Sequence, residues 1–136
     1  MRPPFSLSAF PLSAVSVAIV AGALCLAGCA KQLEAPNDRG VCWAMAQLPN
    51  GTPRFNKVAQ NQPDLEHCAA QLEIMRLRFR ALGSTQTQLT GAYQGQFIFI
   101  QPEGVFTAQT YDGYRFPFLV RTGDGRLAMP GAMPTQ

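Results

Sequence analysis

Residues 61–83 read NQPDLEHCAAQLEIMRLRFRALG, and the way this stretch packs decides the arrangement of the rest. Leu65, Cys68, Leu72, Met75, Phe79 and Leu82 recur at alternating steps of three and four, which places them on one stripe of an α-helix. The helix is expected over residues 63–82. Asn61 or Gln62 sits at its cap, Pro63 falls in the first turn, and Asp64 and Glu66 complement the positive end of the helix dipole. Arg76, Arg78 and Arg80 lie toward the negative end, and Gly83 supplies the residue that closes the helix.

Ala70, Ile74, Leu77 and Ala81 form a second, weaker stripe on the opposite side. A helix with two apolar stripes needs two things to pack against. One is a sheet. The other is either a loop or terminus of the same chain, or a partner protein or second copy.

Toward the N-terminus, residues 41–47 form an apolar run suited to a strand. Residues 48–53 read LPNGTP and are dense in turn formers, with Asn50-Gly51 at the tip of a β-hairpin that returns over residues 54–59. Cys42, Ala44 and Ala46 alternate onto one strand face, small enough to let a helix lie close. Toward the C-terminus, the pattern from Thr90 onward is all strand. Residues 96–101 (QFIFIQ) are followed by a return over residues 105–110, a turn at Tyr111-Asp112-Gly113, a strand over residues 114–121, and a hairpin signal at Asp124-Gly125 before residues 126–129. Pro117 lacks an N–H, so its strand lies at an edge or carries a bulge. Tyr93, Phe97, Phe99, Phe106, Tyr111, Tyr114, Phe116 and Phe118 are expected mostly in the core against the helix, with a minority lining a ligand or partner surface. The fold class is α+β: an N-terminal hairpin and one amphipathic helix laid on an antiparallel meander over residues 90–129, with the hairpin joining the same sheet.

The chain has 136 residues, enough for one domain. A hydrophobic content of 47% excludes a disordered polyelectrolyte, and a net charge of +3 is too weak to argue for nucleic acid. Charged residues make up only 14%, below the roughly 25% of ordinary soluble proteins. That shortage suggests that some of the surface is covered in the cell.

Residues 14–26 are apolar apart from Ser16 and Gly22, follow Arg2, and fall short of the roughly 20 residues a spanning helix needs. The run has the length of a secretory leader. Leu26-Ala27-Gly28-Cys29 then resembles the lipobox of bacterial lipoproteins, in which a branched residue and two small ones precede a cysteine. The resemblance covers residues 1–29 only. It implies that residues 1–28 are a signal peptide and that the Cys29 thiol receives the lipid. It also implies an anchor in the bilayer, and Ala30 after the cysteine implies export to the outer membrane, facing the periplasm, rather than retention at the inner membrane. Residues 29–40 then form a lipidated tether, residues 41–129 a single domain and residues 130–136 a tail.

With Cys25 removed and Cys29 acylated, Cys42 and Cys68 remain as an even pair in an oxidising compartment. A Cys42–Cys68 disulfide is expected, the alternative being two buried thiols. The stripe position of Cys68 and the strand position of Cys42 favour the bridge.

Catalytic chemistry is scarce. His67 and Ser84 fall at opposite ends of the helix, about 25 Å apart at 1.5 Å per residue, and form no dyad within one subunit. His67 is expected to be solvated. One histidine and a paired cysteine couple make no zinc site, and Asp112-Gly113 and Asp124-Gly125 lack the alternating ligands of a calcium loop. Glu66, Glu73 and Glu103 are scattered. No catalytic residue, metal or cofactor is expected. Arg76 and Arg80 share a helix face near Arg78, either as a solvated face or as a contact to anionic lipid or an acidic partner. These features together predict a non-enzymatic envelope lipoprotein that binds a partner or itself through Ala70, Ile74, Leu77 and Ala81. The alternative is a small ligand-binding or inhibitor domain that uses the aromatic face of the meander.

Overall fold

The computed structural model describes residues 31–131. The leader, the lipobox with Cys29, and residues 132–136 lie outside the described residues. Strand β1 (Cys42–Gln47) and strand β2 (Pro53–Ala59) pair antiparallel as a hairpin. Its tip is closed by the Gly51 N–H donating to the Leu48 carbonyl at 2.8 Å and by the Thr52 N–H donating to Asn50 Oδ1 at 3.0 Å. Helix α1 (Leu65–Ala81) follows, then β3 (Leu89–Tyr93), β4 (Gln96–Gln101), β5 (Gly104–Ala108), β6 (Phe116–Arg121) and the short β7 (Leu127–Ala128). All seven strands form one antiparallel sheet in the order β2-β1-β3-β4-β5-β6-β7. β3 pairs with the far side of β1, so the chain crosses β1 between β2 and β3, and α1 makes that crossing against one face of the sheet.

Alternation along the strands builds two clusters, one per face. On the helix side, Cys42, Ala44, Leu89, Tyr93, Ile98, Ile100, Val105 and Leu119 bury Cys68, Ala69 and Leu72 of α1. On the other side, Phe97, Phe99 and Ala108 are covered by Phe55, Phe106 and Tyr111 together with Leu33 and Ala35 from the segment before β1. β4 is therefore buried on both faces, which is why its apolar run does not alternate. The aromatic residues divide differently from the expectation of a core against the helix. Phe97, Phe99, Phe106 and Tyr111 form the opposite face, and Tyr114 (75% exposed) and Phe116 lie at the surface. Ala46, expected on the packed face of β1, is also exposed.

Helix α1 starts two residues later than expected, and its cap is Asp64 rather than Asn61 or Gln62. The Asp64 backbone is extended, and its carboxylate accepts the His67 N–H at 2.8 Å. Pro63 therefore stands outside the helix. At the other end Gly83 takes a left-handed φ of +92°, and the Ser84 and Gly83 N–H groups donate back to the Phe79 and Arg80 carbonyls at 2.9 and 3.0 Å.

The buried face of α1 is Cys68, Ala69, Leu72, Glu73 and Arg76. Leu65 and Met75 are half-buried, while Phe79 and Leu82, expected on the core stripe, are exposed. The C-terminal half of the helix instead turns an ion pair toward the sheet, which displaces Phe79 outward. Pro117 is accommodated as expected by a bulge. Phe106 opposes Pro117 and Val105 opposes Leu119, leaving Phe118 as the extra residue.

Candidate functional site

The Cys42–Cys68 disulfide is present, with Cα atoms 5.3 Å apart, and both residues are fully buried. It clamps the first turns of α1 onto the start of β1. From there α1 leads away with its outer surface exposed. Ala70 and Ala81 are exposed, Ile74 is 43% exposed and Leu77 is 50% exposed. Nothing among the described residues covers this stripe, so no described loop takes the covering role. Two hollows flank it. Ala70 opens onto one of about 270 Å³ walled by Leu119, Leu127 and Met129. Ile74 opens onto a groove of about 370 Å³ between α1 and β2, bounded by Val58, Met75 and Phe79 and by the cationic residues Lys57 and Arg78.

Beneath the C-terminal half of the helix sits the most polar buried cluster. Glu73 accepts from Arg76 Nε at 2.8 Å and Nη2 at 2.9 Å, and from Arg121 Nη1 at 2.6 Å and Nη2 at 3.2 Å. Arg121 also donates to the Gln101 carbonyl at 2.9 Å, which ties α1, β4 and β6 together. Burial pushes the Glu73 carboxyl up, but hydrogen bonds from Arg76 and Arg121 outweigh it and hold the group at about 2. Arg76 is therefore not part of an exposed basic face. It is 5% exposed, whereas Arg78 and Arg80 lie at the surface. Glu73 and Arg76 stand three apart on a helix, a spacing that signals a pair, but nothing in the chain order points to Arg121.

His67 is exposed, with Nδ1 2.7 Å from the Asp64 carboxylate. The His67 backbone N–H is the main reason that the Asp64 carboxyl lies below its usual range, followed by the His67 ring. Ser84 lies beyond the other end of the helix, where its Oγ accepts the Gln86 N–H at 3.2 Å. Among the described residues no three His, Cys, Asp or Glu side chains gather as a metal site.

The aromatic residues of the alternative site are scattered. Tyr93 is buried on the helix side, with its hydroxyl donating to the Gln62 carbonyl at 2.7 Å. Tyr111 packs edge-on to Phe97 with ring centroids 5.7 Å apart and also borders a polar hollow of about 470 Å³ beside Met45, Gln86 and Gln88. Tyr114 pairs with Phe116 at 4.8 Å on the surface. The Arg115 guanidinium stacks 3.8 Å from the Phe99 ring centre.

Compared with protein-family models, with curated proteins and with solved structures, the chain gives no match. Among the described residues no helix is long and apolar enough to cross a membrane.

Proposed function

We propose that this chain is a non-enzymatic lipoprotein of the cell envelope. In this reading Cys29 carries the lipid, the domain faces the periplasm from the outer membrane, and α1 presents its outer stripe to a protein partner. The observation that carries the partner role is the exposure of Ile74 and Leu77 on a disulfide-clamped helix. Large apolar side chains side by side on a rigid element are the composition of a docking surface. The lipobox resemblance supports the anchor, and acyl chains hold a protein to a bilayer at roughly 0.8 kcal/mol per buried CH₂.

The tests are separate for each half. Cys29→Ser is expected to move the protein from the membrane fraction to the soluble fraction of the envelope; if it stays in the membrane fraction, the anchor reading fails. Leu77→Asp is expected to leave the thermal unfolding midpoint near that of the parent and to abolish association with the partner or with a second copy, read by crosslinking in intact envelopes. If Leu77→Asp unfolds the domain, the stripe is core and the partner reading fails. A second reading, a small-ligand site, rests on the hollow beside Tyr111; it requires that Tyr111→Ala weaken binding of a ligand without lowering stability.

A further inference from the structure

We infer that the groove between α1 and β2 takes an extended, acidic strand of the partner protein, added to the sheet alongside β2. This rests on the partner-binding reading above and names the chemistry of the partner. β2 is the first strand in the sheet order and pairs only with β1, so among the described residues the other edge of Pro53–Ala59 offers its backbone groups unpaired. An open edge of this length is a template for a further strand. The groove lies directly beside that edge, floored by Val58, Ile74, Met75 and Phe79.

The charges choose the occupant. Lys57 and Arg78 border the groove, Arg54 precedes them on β2, and no carboxylate is among the bordering residues. Lys57 faces away from the helix, with its ammonium 5.7 Å from the centre of the Trp43 ring. β2 itself carries Arg54 and Lys57 and no carboxylate, so a second copy of it would meet this edge with charge of the same sign. A strand of alternating character answers both faces. Its apolar side chains enter the groove, and its intervening carboxylates meet Lys57 on the opposite face of the sheet.

The probe is a fluorescein-labelled nonapeptide of alternating valine and glutamate, titrated into the full chain, beside its counterpart with lysine for glutamate. The acidic peptide is expected to bind at least about tenfold more tightly than the basic one, a difference that opposite charges at one or two contacts supply. Amide NMR shifts are expected along β2 and at residues 74–79. Lys57→Glu is expected to narrow the preference. Two further acidic peptides, N-methylated at alternate amides, test the backbone pairing directly: one of the two is expected to lose binding, whereas docking on the helix alone leaves both unaffected. Equal affinity for acidic and basic peptides, or equal binding of both N-methylated forms, overturns the inference. So does binding of phosphatidylglycerol vesicles through the same residues with no response to the peptide. Leu77 does not border the groove, so Leu77→Asp tests the stripe independently. If it abolishes association while the groove ignores the acidic peptide, the acidic-strand inference falls and the stripe reading stands.

Discussion

Glu73 is the residue whose environment departs furthest from its place in the helix pattern. It stands on a flank between the two apolar stripes, yet it is buried with Arg76 and Arg121 around it. Glu73→Gln leaves two guanidinium groups without their counter-charge, and removal of one partner from a buried pair costs about 3 kcal/mol or more. Chemical denaturation is expected to show that loss. The same carboxylate makes stability pH-dependent. Its folded pKa is depressed from the ordinary 4.5 to about 2, so its contribution is complete above the unfolded value and is lost as pH falls from about 4.5 through about 2. The contribution is on the order of 3 kcal/mol. Denaturation midpoints are expected to fall across that window in the parent and to be flatter there in Glu73→Gln. Gly91 is the other decisive residue. A Cβ there would collide with the Leu72 side chain and stand 2.5 Å from the Trp43 carbonyl oxygen. Gly91→Ala is therefore expected to destabilise by about 1–3 kcal/mol.

Helix α1 shows what periodicity can and cannot assign. Its existence and its end at Gly83 agree with the pattern read from residues 61–83, whereas the structure alone shows Ala70, Ile74, Leu77 and Ala81 exposed. The buried face does not follow that pattern throughout, because a hydropathy stripe counts Glu73 and Arg76 as solvent-facing until a neutralising partner is known. Phe79 and Leu82 become surface residues for the same reason. The cap is Asp64 because its backbone is extended, as a cap requires, whereas the φ of +54° at Asn61 belongs to a turn. Asp64→Ala is expected to cost about 1 kcal/mol in thermal unfolding. Leu72→Ala, one turn from the disulfide and fully buried, is expected to cost about 2–5 kcal/mol. Ile74→Asp, on the more exposed side of the same helix, is expected to cost about 1 kcal/mol, well below the loss at Leu72. That contrast measures which face is core.

At the scale of the whole molecule, the described residues are held by one sheet, one helix and one covalent bridge. The Cys42–Cys68 bridge closes a separation of 26 residues that contains the hairpin and the start of α1. In the chain-entropy account it contributes roughly 3–4 kcal/mol, a large share for a domain of this size. Paired Cys42→Ala and Cys68→Ala substitutions are expected to lower the denaturation midpoint accordingly, and reductant is expected to lower the parent's midpoint but not the variant's. Mass spectrometry without reductant is expected to recover residues 42 and 68 as one crosslinked peptide pair. The segment before β1 belongs to the fold as well. Leu33 and Ala35 cover the second cluster, and the Pro36 carbonyl accepts the Gly95 N–H at 2.9 Å. Truncation through Pro36 is therefore expected to expose Phe97 and Phe99 and raise binding of a hydrophobic dye.

Local rules acting over a few residues are legible in the chain. They place the hairpin at Asn50-Gly51, the helix, the strands of the meander and the α+β class, because turn chemistry, capping and alternation depend only on neighbours. The lipobox resemblance, which sets Cys25 and Cys29 aside, implies that Cys42 and Cys68 pair. Which aromatic residues face the helix, which side of α1 is buried near its end, and which strand edge is left open depend on strands that meet across the chain. Arg121 finds Glu73 over a separation of 48 residues. β3 inserts beside β1 and leaves β2 at the edge. Those are long-range choices. They are made by total burial and charge neutralisation in the assembled core, and no short window of residues contains them.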